Sequence, residues 1–182
     1  FVERYNTDLA NDYGNLLSRS CSMVHKYRAG VVPARWEPGP LEDEIRTLSQ
    51  QCMLDVDVEY RALQPSVALS AAWKLVARAN VYVEETKPWA LAKEEKSGDG
   101  AAAAASARLD TVLCTLLEVG RLATRWAWPA IPTKSEEAWA GLALRGSPGD
   151  ARVKQPSDSP DPDAWFHGGT LPPTAGRTLP PV

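Results

Sequence analysis

Proline decides where this chain can be helical. Pro33, Pro65, Pro88 and the pair Pro129 and Pro132 separate stretches whose apolar residues recur every three or four positions. A proline inside a helix removes a hydrogen bond and clashes with the preceding turn, so these stretches read as five helical segments, with no convincing strand. The first runs from about residue 6 to residue 28 and stops at Gly30 and Pro33. The second, about 41 to 63, carries Leu41, Ile45, Leu48, Cys52, Val56 and Leu63 at helical spacing. The third begins near Ser66 and continues until Pro88. The fourth emerges from "SGDGAAAAAS", with Leu109, Val112, Leu113, Leu116 and Leu117 as its buried stripe. The fifth is expected to open at Thr133 with Glu136 three residues on, a capping-box pattern, followed by Ala138, Trp139 and Leu142. Short connections between such segments favour an all-α fold: an antiparallel helix bundle of four long helices plus a short fifth, over residues 1–145.

Beyond that boundary the texture changes. Residues 146–182 hold eight of the 15 prolines and five of the 12 glycines, with no periodicity. This Pro/Gly-rich C-terminal tail must lie on another surface or stay mobile. No apolar run approaches the roughly 18 to 20 residues of a membrane helix. The chain opens with Phe and is helix-like at once, which suggests a fragment of something longer. Cys21, Cys52 and Cys114 match neither a zinc knuckle nor a disulfide framework; buried, reduced thiols are expected, which points to the cytosol. A net charge of −3 argues against gripping nucleic acid by bulk electrostatics. Yet the five bases of residues 1–35 outnumber three acids, and the four of residues 65–93 outnumber two, while residues 36–64 hold seven acids against two bases. Any nucleic-acid contact should therefore be local, made by the first and third helices, with the acidic second helix facing away.

On a helical wheel of the first segment, Leu9, Tyr13, Leu16, Leu17, Ser20, Val24 and Tyr27 share one arc, and Asp8, Asn11, Asp12, Asn15, Arg19, Ser22 and Lys26 gather opposite. Asn15 and Arg19 are neighbours one turn apart. A plain solvated face is one reading, though Glu and Lys would serve it as well. The other is recognition: an amide carries a coplanar donor and acceptor suited to a base edge, and a guanidinium is a flat, permanently charged fork. Trp89, directly after Pro88, is either a packing plug or a stacking platform for bases. Trp73, Trp126, Trp128 and Trp139 read as core, and His25 as packed rather than catalytic.

The strings "RYNTDLANDYGNLLSR…MVHKYRAGVVP", "ARANVYVEETKPWALAK" and "PAIPTKSEEAWAGLAL" resemble, in order and spacing, the C-terminal anticodon-binding domain of bacterial methionyl-tRNA synthetases over about residues 1–145. The resemblance implies that Asn15 and Arg19 contact anticodon bases, that Trp89 stacks on the first of them, and that Asn80 and Pro88 support the site. It implies recognition of the CAU anticodon loop of tRNA(Met), in a cytoplasmic ligase that attaches methionine to tRNA with ATP. The catalytic half would lie upstream, using Mg and often Zn; the tail, loosely similar to the family's closing segment, would fold back on it. This segment shows no His-Ile-Gly-His or Lys-Met-Ser-Lys-Ser signature, no Gly-rich phosphate loop and no metal cluster, so no catalytic residue, metal ligand or cofactor is expected in it. The alternatives are the equivalent domain of another class I aminoacyl-tRNA synthetase, or a helical interaction module with no RNA role.

Overall fold

The computed structural model describes residues 12–97, 100–144, 147–148 and 176–181. Its helices are α1 (Gly14–Arg28), α2 (Pro40–Arg61), α3 (Pro65–Thr86), α4 (Pro88–Glu94), α5 (Ala102–Ala127) and α6 (Pro132–Gly141), with a 3-10 turn, Glu95–Ser97, after α4. The fold is an all-α bundle, as expected, and no strand occurs among the described residues. The prolines act differently from the expectation, however. Pro40, Pro65, Pro88 and Pro132 each open a helix. At the first helical position the missing N–H would be unpaired anyway and the ring's fixed φ suits the helix. This corrects two details. The Pro88–Trp89 corner starts a short helix of its own, and α6 begins at Pro132 behind Ile131, so Thr133 does not cap it. Glu136 instead accepts hydrogen bonds from Trp128 Nε1 at 2.9 Å and Ser147 Oγ at 2.5 Å.

Cross-helix bonds fix the directions. Tyr13 Oη pairs with Thr124 Oγ1 at one end of α1 (2.5 Å), and Arg28 Nε with Asp110 at the other (2.6 Å), so α1 and α5 are antiparallel. Tyr82 donates to Glu42, and Lys74 reaches Asp55, so α2 and α3 are antiparallel. Arg108 with Glu42, and Tyr60 with the Trp126 carbonyl, set α2 parallel to α5. The four long helices thus alternate in direction. One pole holds the start of α1, the α2–α3 connection and the end of α5; the other holds α4.

The centre of the bundle is α5. Every residue from 111 to 124 is buried, which corrects the expectation of a single stripe: Thr111, Thr115, Glu118, Arg121 and Thr124 look like a solvated face but are enclosed by α1, α2, α3, α4 and α6. Buried polar groups are tolerable only when hydrogen-bonded. Trp36 Nε1 donates to Thr115 Oγ1 at 3.1 Å, and Arg121 grips Glu118 at 2.6–3.0 Å. Gly120 permits α1 to approach, since a Cβ there would lie 2.5 Å from Leu17 Cδ2.

A second buried knot ties three helices together. The carboxylate of Glu42 accepts from the Tyr82 hydroxyl, from Arg108 at 2.9 Å and from the Gly39 N–H at 2.7 Å. Burial alone would raise its pKa, but these donors outweigh it and hold the carboxyl below its ordinary range. The Tyr82 hydroxyl is pushed upward by burial and by the Glu42 charge.

The last described segment packs against the α1–α2 loop. The N–H groups of Val32 and Leu179 donate to the carbonyls of Arg177 (2.7 Å) and Gly30 (2.8 Å), Val31 and Thr178 form an isolated antiparallel bridge, and Leu179 enters the core. Arg177 also donates to the Ala143 carbonyl at 3.0 Å.

Candidate nucleic-acid interface

The open face of α1 follows from its periodicity. Tyr13, Leu16, Ser20 and Val24 are buried, while Asp12, Asn15, Arg19, Ser22 and Lys26 are exposed. Leu9, Asp8 and Asn11 lie outside the described residues. Asn15 and Arg19 stand about 6 Å apart along the axis, at a rise of about 1.5 Å per residue. The side chains of Arg19 and Glu84 are 47% and 64% exposed, and the arginine donates to Glu84 Oε1 at 3.3 Å. This pair joins α1 to the last turn of α3.

Asn80, half-buried, lies one turn before Glu84 on α3. Past Thr86 the chain turns at Lys87, held at φ +44° in the left-handed region with its N–H on the Val83 carbonyl at 3.0 Å. Pro88 is buried, and Trp89, one step round the helix, points outward at 44% exposure. An indole buried in the bundle core would have served as a plug only. Trp89 lies five positions beyond Glu84, a span of at most about 18 Å even when fully extended. Arg19 is therefore tethered to the corner that carries the exposed ring.

Glu84 went unnoticed in the sequence because an acid is not what an RNA face suggests; its position one turn beyond Asn80 was the available signal. Arg78, the α3 base six residues before Glu84, is committed elsewhere, to Glu44 at 2.8 Å and Glu85 at 3.0 Å. These bonds, led by Glu44, outweigh desolvation and push its already high pKa further up. Arg19 and Lys26 on α1, Lys87 at the corner and Lys93 on α4 are exposed cations. Two hollows, of about 440 and 540 Å³, lie around Arg35 by the α1–α2 loop, and neither is lined by Asn15, Arg19 or Trp89. An amide, a guanidinium and an indole exposed to solvent are the kinds of group that suit unpaired bases, which stack on a ring face and bond through their edges.

The other singled-out residues are structural. Cys114 is buried, its Sγ 3.0 Å from the Pro33 carbonyl, and burial pushes its pKa up to about 12. Cys52 is buried too, whereas Cys21 is half-buried, less enclosed than expected; all three are free thiols. Trp126 and Trp139 are core, but Trp73 and Trp128 are only partly covered, Trp73 stacking on Tyr13 at 5.4 Å. His25 is packed, with a buried Nε2. Among the described residues no group of three or more His, Cys, Asp or Glu could hold a metal, and no helix is long and apolar enough to cross a membrane.

No family model matches the chain. It is 43% identical over 142 residues to the methionine–tRNA ligase of Clostridium perfringens, covering 78% of this chain and 21% of that protein. It is 41% identical over 149 residues to the enzyme of Deinococcus radiodurans, covering 81% and 21%. Among solved structures it is similar to Mycobacterium tuberculosis methionyl-tRNA synthetase in complex with methionyl-adenylate, with a TM-score of 0.77 and 30% identity over 100% of this chain and 31% of that one. The free form of that protein gives 0.76 and 29%, over 100% and 32%. The chain spans about a fifth of the length of the curated relatives it matches.

Proposed function

We propose that this chain, which belongs to the methionine–tRNA ligase family, is the part that reads the CAU anticodon of tRNA(Met). Asn15 and Arg19 address anticodon bases, Trp89 stacks on the first of them, and Asn80 and Pro88 support the site. The observation that carries this reading is the half-exposed indole of Trp89, on a corner joined to Arg19 through Glu84. An aromatic ring presented to solvent gives a splayed base a π-face, worth roughly 1–3 kcal/mol per base. The Arg19–Glu84 pair is exposed, so releasing it sacrifices only about 0–1 kcal/mol. The guanidinium can exchange one acceptor for another at little cost.

The whole protein would be a cytoplasmic aminoacyl-tRNA synthetase that esterifies methionine to tRNA with ATP. Mg, and often Zn, would act in a catalytic domain outside the matched stretch; the 146–182 tail would pack against that domain too, although its described end, through Arg177 and Leu179, packs on the 1–145 bundle itself. No residue of this chain is assigned to the chemistry.

Titrating the chain with two RNA hairpins, one with a CAU loop and one with that triplet changed, tests the reading. Tighter binding of the CAU hairpin is expected. Equal affinity for both rules the assignment out.

A further inference from the structure

Far from Trp89, the connection between α2 and α3 carries an apolar surface that the anticodon reading does not use. Leu54 and Val58, one turn apart on α2, Leu63 in the connection and Val67 in the first turn of α3 are all exposed. Leu63 is the extreme case, at 87% exposure and φ +58°. A left-handed backbone disfavours any side chain except glycine's hydrogen, yet a leucine occupies the tip and points into solvent. The turn itself is well bonded, with Leu63 N–H on the Tyr60 carbonyl (3.0 Å) and Gln64 N–H on the Glu59 carbonyl (2.9 Å). The apolar group is thus presented on a fixed support. Clustered exposed aliphatics of this kind mark interaction surfaces.

We infer that this hairpin tip is the docking surface for the upstream, catalytic portion of the methionine–tRNA ligase chain. Position supports that occupant. Tyr60 bonds the Trp126 carbonyl at 2.7 Å, and Tyr13 bonds Thr124 two residues earlier on α5, so the tip shares a pole with the first turn of α1, the end of that helix nearer the upstream chain. Size supports it too, since the matched stretch is about a fifth of each relative. The charges beside the row are already paired, Asp57 with Arg61 at 2.7 Å and Asp55 with Lys74 at 3.8 Å, so the face offers its aliphatics rather than a net charge. The complementary surface is apolar. The inference rests on family membership and not on which loop the bundle prefers, so either can fail alone.

Hydroxyl-radical footprinting of the 182-residue chain and of the full-length ligase carrying it reads the side chains directly. Leu54, Val58, Leu63 and Val67 should be labelled in the short chain and lose that labelling in the full-length protein. Equal labelling in both would overturn the proposal. So would protection of the short chain that grows with its own concentration, which assigns the face to a second copy, or protection that appears only with tRNA. The double substitution Val58→Ser with Leu63→Ser should leave the melting of the short chain unchanged, because both residues face solvent there. In the full-length ligase it should speed proteolytic release of the bundle; no change in that rate would also count against the docking.

Discussion

Arg121 and Arg19 are both arginines paired with a glutamate, and they operate under opposite physics. The inner pair lies on the central helix, 3% and 0% exposed, with contacts from 2.6 to 3.0 Å. The outer pair bridges α1 and α3 in water at 3.3 Å. Removing one partner of a buried pair strands a charge and costs about 3–5 kcal/mol, whereas an exposed pair contributes about 0–1 kcal/mol. Strong electrostatics therefore sit where nothing needs to move, and weak electrostatics where a ligand must intervene. The same division runs round α1, whose inner face is fixed by Tyr13 and Val24 while its outer face holds Asn15 and Arg19.

The largest expected effect tests the inner half. Arg121→Met should destabilise the fold by about 3–5 kcal/mol in denaturant titration, by stranding Glu118. In the surviving folded fraction the preference for a CAU loop should not change; a shift in preference would join the two regions that this contrast separates.

Next is Glu42. Its carboxyl is held below the ordinary value of about 4.3, so its contribution to stability is present above that pH and fades as pH falls through the lower, folded value. Glu42→Gln should cost about 1–3 kcal/mol at neutral pH, as buried donors lose a charged acceptor. It should also flatten the acid limb of the stability profile. An unchanged acid limb would place the acid sensitivity elsewhere.

The outer half predicts the reverse pattern. Trp89→Ala should weaken hairpin binding by about 1–3 kcal/mol, while stability stays within about 0.5 kcal/mol, as for surface substitutions. A large loss of melting temperature with binding intact would mean that Trp89 is structural after all. The smallest effect on the fold is Arg19→Ala, with stability altered by about 0–1 kcal/mol. Its signature is in salt: the slope of log affinity against log salt should shrink by about 1, for one cation lost. An unaltered slope would separate Arg19 from the RNA backbone.

What the sequence disclosed was local. The two faces of α1 were legible because a single amphipathic helix against a core reports its burial through a 3.6-residue period. Trp89's exposure was open in the sequence, since a tryptophan at a helix end packs or protrudes according to tertiary neighbours. The central position of α5 was illegible for a related reason. Thr111, Thr115, Glu118 and Arg121 look solvent-facing in a linear pattern, and only the helices around them supply the partners that let them be buried. Likewise Glu42 counted as one acid in an acidic segment, although it is the hub of a buried knot. The start of α6 was misjudged because a capping-box string and a proline competed for the same position, and the proline's rigid ring prevailed.

The docking of Leu179 against the Gly30 carbonyl joins residues on either side of nearly the whole chain. During synthesis, the α1–α2 loop and its share of the core stay unfinished until that leucine has left the ribosome. Every described helix is already complete by then, so the bundle closes like a box whose lid is made last, and nascent chains arrested before this point would show a wet seam beside His25 and Val32.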